Sequence, residues 1–300
     1  MTAADDIIDQ CRVSPGKSVR LEDYDPAWAG DPKLPKMERK RVAADALSQD
    51  VSALAEAQTK LYAADSWAVL IILQAMDAAG KDSTIKHVMS GVNPQGCQVY
   101  SFKHPSAQEL DHNFLWRYAR AVPERGRIGV FNRSYYEEVL IVRVHPELVG
   151  AERIPDVKID DDFWSMRHDD INAFERHLTR NGTVVLKFFL HLSKDEQRKR
   201  LLKRLKDPSK HWKFAAADIA ERAYWNDYTK AYEHAMSATS TKWAPWYIIP
   251  ADHKWVSRAL VARIVTSKIE SLGLQYPEVT DEQRTLITEA RRQLESEKDG

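Results

Sequence analysis

Between residues 70 and 84 the chain reads LIILQAMDAAGKDST, a stretch whose residue types could handle phosphate. Gly80 lets the backbone turn tightly and leaves amides free to face an anion, and Lys81 can reach phosphate oxygens. A helix starting near Asp82 adds its positive N-terminal end. Together Ala78, Ala79, Gly80, Lys81, Asp82 and Ser83 are expected to form a phosphate cradle. The two carboxylates beside the lysine, Asp77 and Asp82, need a further reason, because they repel phosphate unless a cation intervenes. Mg²⁺ takes oxygen ligands, usually one or two carboxylates plus substrate phosphates. Asp77 therefore reads as a magnesium ligand or a base, and Asp82 as a second metal ligand or a helix cap. The match to a phosphate-loop fingerprint is incomplete. Ala75 stands where the first glycine is usual, and Asp82 where Ser or Thr is usual.

Two other stretches carry chemistry. In GRIGVFNRSYYEEVL (126–140) a buried strand ends at Phe131, so Asn132, Arg133 and Ser134 emerge at a ligand edge. Arg133 can grip phosphate through its planar fork. Glu137 and Glu138 open the next helix, where capping explains a carboxylate about as well as catalysis does. From Lys194 to Lys213 there are nine basic residues against three acidic ones. Arg200, Lys203 and Arg204 share a helical face there, and Leu201, Leu202 and Leu205 take another. Behind a core strand, such a run reads as a lid closing over phosphates. Lys103, His104, Arg117 and Arg120 could extend a basic track for a long polyanion. The acidic cluster Asp160–Asp162 reads as a helix cap, and the aromatics between 224 and 246 as packing.

These groups need a scaffold. Residues 1–34, punctuated by prolines and glycines, read as an extended arm. From Lys36 to about Ala64 the residues Val42, Leu47, Val51, Leu54 and Leu61 mark one helical stripe. Nearly all-apolar runs follow at 68–75, 98–102, 128–132, 183–192 and 246–250, as expected of parallel strands buried on both faces. The intervening helical stretches imply an α/β fold: a three-layer α/β/α arrangement around a mainly parallel sheet. Residues 271–300 read as a charged amphipathic helical tail that frays.

Composition narrows the function classes. The chain has 300 residues, with 44 Lys plus Arg balancing 44 Asp plus Glu, so no overall field favours nucleic acid. Cys11 and Cys97 match no metal spacing and read as free thiols of a reducing compartment. The longest apolar run is far short of a membrane span, and the first residues hold no signal-like core. The expectation is a cytoplasmic protein without membrane or nucleic-acid partners.

Four segments resemble the polyphosphate kinase 2 family, in family order and spacing. They are MDAAGKDSTIKHVMSGVNPQGCQV, FNRSYYEEVLIVRVHPE, LSKDEQRKRLLKRLKDPSKHWKF and APWYIIPADHKWVSR. The similarity spans nearly all of 35–270 and is greatest to class III members. It implies a P-loop kinase-like core over 35–270, with a helical lid at about 194–225. The implied activity is phosphoryl transfer between inorganic polyphosphate and nucleoside mono- and diphosphates, with Mg²⁺ and with Mn²⁺ as a substitute. Dimers or tetramers are implied too. By position, Asp77 corresponds to the essential loop aspartate and Lys81 to the loop lysine. Arg133 follows as the phosphate-facing arginine, and Arg200 and Arg204 as lid arginines. Glu137 falls where the family links an acidic residue to monophosphate acceptance. Asn132 replaces the aspartate of class I members, which counts against a metal-ligand role there.

The expected mechanism places the nucleotide's phosphates on Lys81, the loop amides and a metal near Asp77. Arg133, Arg200 and Arg204 then stabilise the terminal phosphoryl group of the chain. An ATP-dependent nucleotide kinase and a non-catalytic polyphosphate-binding protein are the alternatives.

Overall fold

The computed structural model describes residues 3–213 and 215–297. The extreme ends of the expected arm and tail, Phe214 of the lid motif and the side chain of Lys213 lie outside the described residues. Five parallel strands form one sheet: β1 (Ala68–Gln74), β2 (Cys97–Ser101), β3 (Ile128–Asn132), β4 (Thr183–His191) and β5 (Trp246–Pro250). Their order is β2-β3-β1-β4-β5, with β1 central and buried throughout. Each strand lies within a residue or so of the apolar run that announces it.

Side chains alternate along β1 and feed a separate core on each face. Val69, Ile71 and Leu73 pack with α2 (Lys36–Ala64), α3 (Lys81–Val88) and the helix Lys254–Glu270. Leu70 and Ile72 pack with the helices Asp161–Arg180 and Trp225–Thr239 on the opposite face. That is the expected three-layer α/β/α arrangement. After β1 the chain enters the first of these layers, and after β3 the second, through Tyr135 and Tyr136. Neighbouring strands with diverging exits open a crevice at their carboxyl ends.

The arm is not extended throughout. It begins with α1 (Ala3–Cys11), and Arg12 then forms an antiparallel bridge to Tyr247 on β5. Leu54 and Leu61 of the α2 stripe are fully buried, whereas Val42 is 50% exposed, because the first turns of α2 extend past the core. Asp160 caps its helix as expected, accepting from the Phe163 amide at 3.2 Å. The tail helix Asp281–Ser296 is closed by a Thr280–Gln283 capping box and is exposed along its length. Cys11 and Cys97 are free, and no helix among the described residues is long and apolar enough to cross a membrane.

One charged pair sits wholly inside the second core. Lys187 Nζ donates to Glu175 Oε2 at 2.6 Å, to the Thr239 carbonyl at 2.7 Å and to the Tyr136 hydroxyl at 2.9 Å. Glu175 Oε1 accepts from the hydroxyls of Tyr135 at 2.9 Å and Tyr136 at 2.8 Å. Breaking such a pair strands a charge in low dielectric, so Lys187→Met should destabilise the chain by about 3–5 kcal/mol. Glu175→Leu combined with Lys187→Met removes both charges and should recover most of that loss, as read by urea denaturation.

Candidate active site

The segment joining β1 to α3 crosses the crevice with two residues in left-handed conformations, Ala78 at φ 63° and Gly80 at φ 110°. Gly80 is the N-cap of α3, and no side chain caps the helix there. The first amides of a helix lie outside its own hydrogen-bond ladder, so they face an incoming anion. Lys81 lies half-buried at this point, its Nζ donating to the Ala75 carbonyl at 2.9 Å. Burial, aided by the nearby Arg133 guanidinium, holds its pKa below the usual lysine value.

Asp82 does not act as the cap. Its Oδ1 accepts from Asn132 Nδ2 at 2.8 Å, linking the loop to the end of β3. Asp77 Oδ1 accepts from Arg133 Nη2 at 3.2 Å. Arg133 itself has φ 67°, and its amide donates to the Leu73 carbonyl at 3.1 Å, which pins this strained turn against β1. Asp77 and Arg133 are thus face to face at the mouth of the crevice.

Two chambers meet at this pair. The larger, about 770 Å³, contains the cradle from Ala78 to Ser83 together with Asn132, Lys103 and His104. Its lining also includes the cations Arg200, Lys203, Arg204, Lys210 and Lys254. The smaller, about 220 Å³, is lined by Glu137, Asp218 and Glu221 and by the aromatics Trp225, Tyr228 and Tyr232. Asp77 and Arg133 line both.

Most of the expected residues converge here, but not all. Glu137 reaches the smaller chamber and accepts from Gln74 Nε2 at 3.0 Å. Glu138 turns the other way and is buried beside Arg117 and Arg167, at 3.4 and 3.8 Å. Arg117 donates to that carboxylate and, at 2.9 Å, to the Lys103 carbonyl, so it braces the wall from behind. Arg120 stacks on Trp116 at 4.7 Å. Neither arginine lines the basic chamber, because each finds a local partner first. Arg204 Nη1 donates to Asp218 at 2.9 Å, bridging the two chambers. Arg200 donates to the carbonyls of Ala78 and Ala79 at 3.2 and 2.8 Å, inward to the loop.

One group escapes a reading of the sequence. Trp225 and Tyr228, which read as packing, line the smaller chamber, with the Tyr228 hydroxyl donating to Glu221 at 2.7 Å. The three-residue step between them marked a common face, and Tyr232 extends it, but nothing local said that this face ends in a cavity. Asp252, Lys254 and Arg258 follow the last strand in sequence and are expected either to contact a nucleotide base or phosphate or to pair with each other. Lys254 opens the helix after β5 and lines the basic chamber. Arg258, one turn later, instead donates to Ser83 Oγ at 2.6 Å.

The donor set suits a hard divalent cation. Asp77 and Asp82 both offer carboxylate oxygens to the larger chamber. Among the described residues no three His, Cys, Asp or Glu side chains come together to hold an ion alone. Oxygens of a bound phosphate would have to complete the sphere, which is the usual arrangement for magnesium.

Comparison with known proteins points the same way. The family model for polyphosphate kinase 2 matches residues 37–276. An ADP-polyphosphate phosphotransferase of Rhodopseudomonas palustris is 54% identical over 286 residues, spanning 95% of this chain and 97% of the relative. An AMP/ADP-polyphosphate phosphotransferase of Meiothermus ruber is 43% identical, spanning 93% of this chain and 98% of the relative. The crystal structure of polyphosphate kinase 2 from Arthrobacter aurescens aligns with a TM-score of 0.84 at 39% identity, covering 96% and 97% of the two chains. With one family model matching most of its length and relatives aligned over nearly all of it, the chain belongs to the polyphosphate kinase 2 family of phosphotransferase enzymes.

Proposed function

We propose that the chain transfers phosphoryl groups between inorganic polyphosphate and nucleoside mono- and diphosphates, converting AMP to ADP and ADP to ATP. The observation that carries this reading is that Asp77 and Arg133 line two chambers of opposite character. A basic, open chamber suits a polyanion of indefinite length, and an aromatic chamber with an acidic rim suits a nucleotide. Transfer between their occupants passes the shared wall.

An oxygen of the nucleotide's terminal phosphate attacks the last phosphorus of the chain. The anhydride P–O bond behind that phosphorus breaks, and the polymer leaves one unit shorter. Lys81 and the loop amides hold the end of the polymer, which differs from the expectation that they hold the nucleotide. Arg133 faces the transferring group and offsets charge that spreads over its equatorial oxygens. Lys203, Lys210 and Lys254 hold the rest of the polymer. Glu137 crowds the acceptor's outer phosphate position, and Trp225 and Tyr228 stack on the base. Asp77 and Asp82 would hold Mg²⁺ or Mn²⁺, which would supply positive charge to offset that of the phosphates during transfer.

Purified protein is offered AMP, ADP, GMP and GDP with polyphosphate and magnesium, and the products are separated. ATP should form from ADP with polyphosphate as the sole donor. Product formation only when ATP is the donor would select the ordinary kinase, and polyphosphate binding without turnover would select the non-catalytic binder. Trp225→Ala should raise KM for the nucleotide about tenfold with little change in KM for polyphosphate, since base stacking on an aromatic is of that size. We place the reaction in the cytoplasm, and light scattering would read the dimer or tetramer that the family implies.

A further inference from the structure

Arg200 carries five N–H donors in a rigid planar fork, and every one of them has an acceptor within the protein. Nε donates to Glu196 Oε1 at 2.9 Å. Nη1 donates to the carbonyls of Ala78 at 3.2 Å and Ala79 at 2.8 Å. Nη2 donates to the carbonyls of Ala251 at 2.6 Å and Asp252 at 3.0 Å. To reach a phosphate oxygen, this guanidinium must release a carbonyl of the loop or of the segment after β5.

The carbonyls it holds belong to the part of the chain most in need of support. Ala78 and Gly80 are left-handed, and α3 starts without a side-chain cap. A peptide group is planar, with its C=O and N–H antiparallel. Fixing the Ala79 carbonyl toward Arg200 therefore turns the Gly80 amide away from the guanidinium. The side chain in this way decides which direction a cradle amide faces. One turn earlier on the same helix, Gln197 Nε2 donates to the Asp77 carbonyl at 3.0 Å. Three consecutive loop carbonyls, of Asp77, Ala78 and Ala79, are thus held by the helix Lys194–Leu205. Ser193 at its start is held by both oxygens of Asp252, at 2.8 and 2.7 Å.

We propose that Arg200 is a positioning residue, which clamps the phosphate-binding loop to the helix Lys194–Leu205 and to the end of β5, and not a ligand of phosphate. The base of the lid is then a fixed part of the site: Arg200 lines the basic chamber, but its donors are directed to acceptors within the protein. This deepens the proposed polyphosphate-dependent transfer and rests on it for the identity of the anion.

The test compares full-length Arg200→Lys and Arg200→Ala with Lys203→Ala, a change to a cation of the same helix that faces the basic chamber. A lysine has no fork and cannot hold both carbonyl pairs at once. Hydrogen exchange is measured first, on ligand-free protein, over peptides spanning residues 77–83. Arg200→Lys should speed exchange there by about tenfold or more, with the strands unchanged, and Lys203→Ala should leave it as in the parent. Steady-state rates with ADP and polyphosphate follow at several salt concentrations. Arg200→Lys should lower kcat by about 10²-fold, the scale of a misplaced reacting group, with the salt dependence of KM for polyphosphate retained. Lys203→Ala should flatten that dependence by the loss of one ion contact.

Unchanged exchange in both Arg200 variants would overturn the proposal, and so would a salt dependence flattened as much as in Lys203→Ala. Should Arg200→Ala fail to fold, Arg200→Lys carries both readouts. If the parent itself shows no turnover with polyphosphate, the functional reading fails, and the exchange data still decide the role of Arg200.

Discussion

Lys81→Ala is expected to lower kcat/KM for polyphosphate-driven ATP formation by at least ~10³-fold, the scale seen when a cation at a transferring phosphoryl group is removed. Lys81 is the first residue of α3, next to the left-handed Gly80, so its charge and the helix end act on the same oxygens. Of the neighbouring arginines, Arg200 is committed to backbone carbonyls and Arg258 donates to Ser83, so neither is placed to stand in for Lys81. The fold should survive, since the visible hydrogen bond of Lys81 is to a single carbonyl at 2.9 Å. Stability carries a second signature. With its pKa below the ordinary 10.5, folded Lys81 binds fewer protons than unfolded Lys81 between the depressed value and 10.5. Stability therefore rises with pH across that window, and the share due to Lys81 disappears in the alanine variant. A variant that retained a tenth of the parent rate would remove Lys81 from the reaction.

Asp77→Asn keeps the shape of the loop and deletes one charge at the wall common to both chambers. The expected result is a fall in kcat of about 10³-fold and a higher magnesium concentration for half-maximal rate. Two losses add. A hard cation loses an anionic oxygen, and Arg133, 3.2 Å away, loses the carboxylate that aims it. The second loss alone would depress kcat without changing the magnesium requirement, so a titration with MgCl₂ separates them. Near-parent turnover at saturating magnesium would show that Asp77 only supports the turn.

Much of this was legible from residue order. Apolar runs such as AVLIILQ and IGVFN report burial on two faces, and burial is a property a strand carries in its own composition. Strand, glycine, lysine and helix in succession likewise predict an anion site, because loop turn and helix end are local geometry. The quoted motifs added the family. On these grounds residue order alone locates the sheet, the loop and the carboxylate–lysine grouping.

Side-chain partners were a different matter. Arg117, Arg120, Arg200 and Arg204 look equivalent in sequence, as long cations near phosphate-binding elements. The fold sends the first to Glu138, the second onto Trp116, the third into the loop backbone and the fourth to Asp218. Trp225 and Tyr228 look like packing residues in sequence for the same reason, yet they line the smaller chamber.

Residue order, then, determined what is local: strands, helices, the turn at Gly80 and the charge carried by each segment. Tertiary structure decided which cations face the chamber. A flexible guanidinium settles on the best acceptors within its reach, and those come from distant backbone. Arg200 finds its own 122 residues back, at Ala78, and 51 residues on, at Ala251. No periodicity in a helix records such neighbours, since they exist only once the sheet has brought the ends of β1, β4 and β5 together.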